Sequence, residues 1–149
     1  MTVLYFIIPG RPRGKGRPRF ASGHVYTPQA TNDYERFAAA CARRAIADMK
    51  ADGFAWSLEG AKTVEINAWI PTPKSWSKKQ QYEHHMQPCC RKPDIDNLEK
   101  IVWDGINGIA YKDDSQIAAS TARKRWRCDL DDVYPSGYIE VRVFDMGEK

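Results

Sequence analysis

The sequence predicts an α/β fold of the α+β kind: a small mixed β-sheet packed with two main helices, as a single domain over residues 1–149. Three observations carry that prediction. A chain of 149 residues is long enough to remove about two-thirds of its unfolded surface from water in one domain, and too short for two full ones. With 42% hydrophobic and 28% charged residues, it is unlike the polar or repetitive chains that cannot offset their ordering entropy. Its apolar residues recur at two spacings, period two in some segments and helical in others, which calls for strands and helices in one sheet-and-helix core.

Val3 to Ile8 is a short β-branched and aromatic run stopped by Pro9-Gly10, read as a buried strand. Phe20 to Tyr26, with Ser22-Gly23 near its centre, fits a hairpin. Thr27-Pro28 offers an N-cap and first-turn proline for a long helix, in which Tyr34, Phe37, Ala38, Cys41, Ala45 and Met49 form the apolar stripe and Gly53 ends the segment. Val64, Ile66, Ala68 and Ile70 alternate with Thr63, Glu65, Asn67 and Trp69, so this strand has one wet face and ends at Pro71. Pro73 to Pro88 is polar, with Lys74, Lys78 and Lys79 around Trp76 and a short helix beginning at Ser75 or Ser77. A second main helix runs from Asp96 to Asn107 with Leu98, Ile101, Val102, Gly105 and Ile106 on its apolar face and Gly108 beyond its end. Gln116 to Trp126 and Tyr138 to Phe144 are closing strands, joined by a loop containing Asp129-Leu130-Asp131-Asp132.

Several function classes drop out. The first apolar run is far shorter than the ~20 residues a membrane span needs and has no basic region ahead of it, so the expectation is a cytoplasmic protein without a membrane partner. Cys41, Cys89, Cys90 and Cys128 contain no Cys-x-x-Cys pair, and the spacing of His84 and His85 to Cys89 and Cys90 matches no zinc template. These are read as reduced thiols and ordinary loop residues.

Charge is unevenly placed. Arg11, Arg13, Lys15, Arg17 and Arg19 lie in the first 26 residues with no acid among them, whereas Asp94, Asp96, Glu99, Asp104, Asp113 and Asp114 outnumber Lys100 and Lys112 later on. Cations suit phosphates and carboxylates suit a metal, so the two poles together point to a metal-dependent enzyme acting on a polyanion. The alternative is two solvated faces that balance each other. The basic loop is stiff and punctuated by glycine and proline, but Lys15 is followed by Gly16 where a nucleotide-binding loop needs Ser or Thr. Arg123, Lys124, Arg125 and Arg127 form a second cluster, of which a strand can turn only about half to one surface.

Asp94 and Asp96 stand where the second main helix begins, with Lys100 one turn after Asp96. Helix capping accounts for one of these acids, and a salt bridge from Lys100 to Asp96 or Asp104 would account for the lysine. Asp113 and Asp114 lie far off in sequence, but the helix climbs only about 15 Å and the eight residues beyond it can extend about 26 Å, enough to return. Carboxylates gathered without imidazole favour magnesium or manganese, and phosphodiester hydrolysis is the matching reaction class.

The stretch Lys92-Pro-Asp-Ile-Asp-Asn-Leu-Glu-Lys100, with Asp104-Gly-Ile-Asn-Gly108 and Asp113-Asp-Ser-Gln-Ile117, resembles the signature of RusA-like Holliday-junction resolvases. The loop Gly10-Arg-Pro to Gly16-Arg-Pro-Arg19 is similar to that of phage-associated members. The resemblance implies a homodimeric bacterial or phage endodeoxyribonuclease that uses Mg2+, with Mn2+ substituting, to nick four-way DNA junctions symmetrically in recombination and repair. It matches Asp94, Asp96 and Asp114 to the metal-binding acids, Lys100 to the essential lysine and Asp113 to the neighbouring acid of less defined role. Arg11, Arg13, Lys15, Arg17, Arg19, Arg123 and Arg125 are the expected contacts to branched DNA. Two rivals stand beside this reading: a non-catalytic DNA-binding module and a metal-dependent hydrolase of small phosphorylated molecules.

Overall fold

A computed structural model describes residues 1–128 and 133–147. Strand β1 (Thr2–Pro9) leads into the hairpin of β2 (Arg19–Ala21) and β3 (His24–Tyr26), then α1 (Gln29–Ala51), β4 (Lys62–Pro71), α2 (Lys78–His84), α3 (Ile95–Gly105), β5 (Ile117–Arg127) and β6 (Tyr138–Asp145). The four-stranded sheet has the order β1-β6-β4-β5. β6 pairs antiparallel with both β1 and β4, while β4 and β5 are parallel. A parallel pair needs a crossover, and here the connection contains α2 and α3. The mixed sheet and its two main helices match the architecture read from the sequence.

One face of the sheet is dry. Leu4, Phe6 and Ile8 of β1, Val64, Ile66, Ala68 and Ile70 of β4, and Ile139, Val141 and Val143 of β6 are buried there together with Ala38 and Ala42 of α1 and Leu98, Ile101 and Val102 of α3. Gly105 lets α3 come close to α1, since a Cβ there would lie 3.1 Å from that of Ala38. The opposite face carries no helix and is polar: Tyr5 Oη and Trp69 Nε1 both donate to Glu140, at 2.9 and 2.7 Å.

Local differences from expectation have physical causes. Pro28 rather than Thr27 caps α1, its carbonyl accepting from the N–H groups of Thr31 and Asn32 at 3.0 and 3.2 Å. Of the two candidate serines, Ser77 starts α2, because it makes a reciprocal capping box with Gln80. α3 begins earlier than read, with Asp94 in the cap position, and Gln116 belongs to a 3-10 turn (Asp114–Gln116) ahead of β5. β4 begins at Lys62, which is fully buried; its ammonium donates to the Glu59 carbonyl at 2.6 Å and to Asp145 at 3.1 Å, and lies over the Trp56 ring. The expected Asp129 to Asp132 loop lies outside the described residues. Among the described residues, no helix is long and apolar enough to cross a membrane.

Candidate functional site

The start of α3 is the point to which the two charge poles converge. The basic loop lies across it: the Lys15 N–H donates to the Asn97 carbonyl at 2.9 Å, and a Cβ on Gly14 would sit 2.9 Å from that of Pro93 and 3.0 Å from that of Asn97. Only a residue without a side chain allows that approach. Arg11, Arg13, Arg17 and Arg19 are exposed along the same loop, and none of them is ion-paired among the described residues. Lys15 behaves differently from the reading that grouped it with them. Its ammonium bonds to Glu35 of α1 and, at 3.0 Å, to Asp104 of α3, so its charge ties the loop to both helices. Burial alone would lower its pKa; the bonds to Glu35 and Asp104 outweigh that and hold it above the ordinary value.

The structural explanations hold for some of the motif acids and fail for others. Asp94 occupies the cap position of α3, yet its side chain makes no capping bond; both of its oxygens instead accept from Lys92 Nζ, at 2.9 and 3.0 Å. Asp96 lies in the first turn, where the helix dipole favours a negative charge. Neither Asp96 nor Lys100 has a side-chain hydrogen bond or ion pair among the described residues, so the expected salt bridge is absent and Asp104 has gone to Lys15. Glu99, one position before Lys100, accepts from Ser120 Oγ at 2.7 Å and fastens α3 to β5.

Asp113 and Asp114 separate into two roles. Asp113 caps the 3-10 turn by accepting from the Ser115 N–H at 3.1 Å, while Gln116 Oε1 accepts from the N–H groups of Lys112 and Asp113. Hydrogen bonds from Ser115 hold the Asp113 carboxyl below its usual value. Its structure-building role is thus sufficient to explain it. Asp114 follows with an exposed side chain and no such bond. Burial, then the charges of Asp114, Asp104 and Asp113, push the Tyr111 phenol far above its ordinary value, while the Tyr111 hydroxyl donates to the Trp103 carbonyl at 2.7 Å.

The acids do not close on one point. Among the described residues no three carboxylate, imidazole or thiolate groups are arranged to hold a metal ion. Carboxylates repel one another, and each turns to the nearest donor, Asp94 to Lys92 and Asp113 to Ser115. The donor chemistry nevertheless fits a hard divalent cation. Asp94, Asp96 and Asp114 offer oxygen alone, and Asp94 already wraps both oxygens about a cationic nitrogen.

The model of the family described as Endodeoxyribonuclease RusA matches residues 9–134, most of the chain and all of these side chains. The chain belongs to the RusA endodeoxyribonuclease family. Hydrolysis of DNA by an endonuclease that resolves Holliday junctions is the activity of this family. The uncharacterized protein YqaN of Bacillus subtilis (strain 168) is 30% identical over an alignment covering 78% of this chain and 83% of that protein.

The remaining predicted DNA contacts of this RusA-family chain are divided. Arg123 and Arg125 alternate with Lys124 and Trp126 along β5; Arg125 stacks over Trp69 on the helix-free face, so these two arginines lie on the side of the sheet opposite α3. Lys124 turns the other way and donates to the Arg91 carbonyl at 2.7 Å. His85 Nδ1 accepts from the Cys128 N–H at 3.0 Å and His84 stacks on Trp76, which gives both histidines structural work. Arg91 was missed by sequence reading. Its guanidinium lies over both Trp76 and Trp126, and the only signal was its position just ahead of the acid motif.

Proposed function

We propose that this chain is a magnesium-dependent endodeoxyribonuclease that resolves four-way DNA junctions by paired symmetric nicks, working as a homodimer. The observation that carries the reading is the set Asp96, Lys100 and Asp114: three charged motif side chains with no hydrogen bond or ion pair among the described residues, the first two on the helix that the arginine-bearing loop packs against.

Asp94, Asp96 and Asp114 would hold Mg2+, or Mn2+ in its place, which when bound supplies positive charge and a water of lowered pKa. Asp94 would have to release the Lys92 ammonium, which both of its oxygens accept from, to serve as a ligand. Lys100, four residues after Asp96 and on the same helix face, presents a point charge to an oxygen of the scissile phosphate and stabilises negative charge as it develops there. Arg11, Arg13, Arg17 and Arg19 hold flanking phosphates and fix the strand's register without reading its sequence. Two sites related by a two-fold axis suit a junction that must be cut twice on strands of like polarity.

The test is a synthetic four-way junction and a linear duplex of the same sequence, each with and without Mg2+, together with the protein's mass in solution. Paired nicks confined to the junction and dependent on Mg2+, from a dimer, are expected. Junction binding without cleavage favours the DNA-binding module, and equal cutting of the duplex overturns the junction preference.

A further inference from the structure

At the carboxyl ends of the parallel strands β4 and β5 lies a cleft of about 620 Å³, from whose lining the nuclease reading draws a DNA contact only in Arg11. Arg11, Lys74, Arg91, Lys92 and Arg127 line it above a floor that includes Trp126, and none of the described lining residues is acidic. The volume is in the range of small-ligand sites, and the carboxyl edge of parallel strands is where open α/β sheets bind ligands. Lys92 is already paired with Asp94, but Arg11, Lys74 and Arg91 make no ion pair among the described residues, and cations so placed select an anionic ligand.

The arrangement of the aromatic groups narrows the class further. Trp76 and Trp126 pack with centroids 5.1 Å apart, and the Arg91 guanidinium lies 5.2 Å from one and 5.5 Å from the other. Two indoles therefore pack against the Arg91 guanidinium, which is otherwise exposed, and stacking on a guanidinium is a way proteins hold an unpaired base. Thr72 Oγ1 and Gln81 Oε1 are bonded to each other at 3.1 Å, and Gln81 Nε2 donates to the Trp76 carbonyl at 3.0 Å, so these polar side chains are committed within the protein. What is left is one stacking surface surrounded by positive charge, the combination that grips single strands regardless of base. The cleft opens onto the acid motif through Lys92, whose ammonium reaches Asp94 at 2.9 Å.

We infer that this cleft binds an unpaired segment of DNA strand, one base against Arg91 with its phosphates held by Lys74 and Arg11, and so seats the branch point beside Asp94. The inference rests on the nuclease reading for the source of the strand: a four-way junction is base-paired throughout, so occupation of the cleft requires the protein to open a pair flanking the exchange point, as enzymes that extrude a base from a duplex do.

The experiment measures anisotropy of fluorescein-labelled dT6 with the full chain in EDTA, so that no cleavage contributes. Saturable binding is expected, weakened about tenfold by Arg91→Ala and less by Arg91→Lys, which keeps charge but loses the plane. Lys74→Gln, at an exposed position, should lower the slope of log affinity against log salt by about 0.7. Melting curves by circular dichroism show whether each variant folds, and Lys74→Gln decides the matter if Arg91→Ala does not. Failure of dT6 to bind, or wild-type affinity and salt slope in the folded variants, overturns the inference. So does competition by dTMP as effective as by dT6, which assigns the cleft to free nucleotides, or equal binding of a blunt duplex. Absence of junction cleavage with Mg2+ would instead defeat the nuclease reading and leave the dT6 result standing on its own.

Discussion

Two regions of this small protein treat charge in opposite ways. Around the base of the sheet and the packing of α1 against α3, charged groups are used up: Lys62 is buried against Asp145 and the Glu59 carbonyl, and Lys15 joins Glu35 to Asp104. At the start of α3 and ahead of β5, Asp96, Lys100 and Asp114 are exposed and held by nothing among the described residues. Burying a charge costs free energy unless it is paired, so the first group must have partners to exist. The second group has solvent instead, and is left able to meet a cation or a phosphate.

Substitutions can break that division from either side. Asp96→Asn should lower junction cleavage on the order of 10³-fold, as expected when a group acting on developing charge is removed, with no loss of thermal stability. A large fall in melting temperature would move Asp96 to the structural side. Lys62→Met should do the reverse, costing about 3 kcal/mol by stranding Asp145, with cleavage per folded molecule retained. Thermal unfolding would show this as a drop of roughly 6–12 °C. Lys15→Gln should cost about 1–2 kcal/mol, because its pair is only partly buried. Lys15 also sets a pH dependence. Its folded-state pKa is raised, so the contribution of its ammonium is fully present below the unfolded value of about 10.4 and is lost as pH climbs through the higher folded value. Wild type should therefore lose stability over Lys15→Gln only at the alkaline end of a denaturation series. The smallest effect belongs to Asp113→Asn, a change in the cap of one short turn, which should leave cleavage within a few-fold of wild type. A loss matching that of Asp114→Asn would erase the distinction drawn between these neighbours.

Much of the division was legible in the sequence. Period-two alternation located Val64 to Ile70 and Ile139 to Val143 on the dry face, and the spacing of Leu98, Ile101, Val102 and Gly105 located the inner side of α3. The acid motif was visible as a pattern. Which of its members is spent on structure was not, because capping by Asp113 but not by Asp94 depends on backbone angles that a one-dimensional spacing does not contain. Lys15 reads as one cation among five until α1 and α3 bring Glu35 and Asp104 to it from 20 and 89 positions away. Arg91 gains its meaning only when α2 and β5 set two tryptophans beneath it. Long-range packing made these assignments, and no local period records it.

The central claim is that Asp114 works with Asp94 and Asp96 although some twenty residues separate them in sequence. Titration of Mn2+ into the full chain, followed by electron paramagnetic resonance of the free ion, tests it most directly. Wild type should take up Mn2+, and Asp94→Asn, Asp96→Asn and Asp114→Asn should each weaken that uptake strongly, with Asp113→Asn close to wild type. Uptake by Asp114→Asn indistinguishable from wild type would contradict the account.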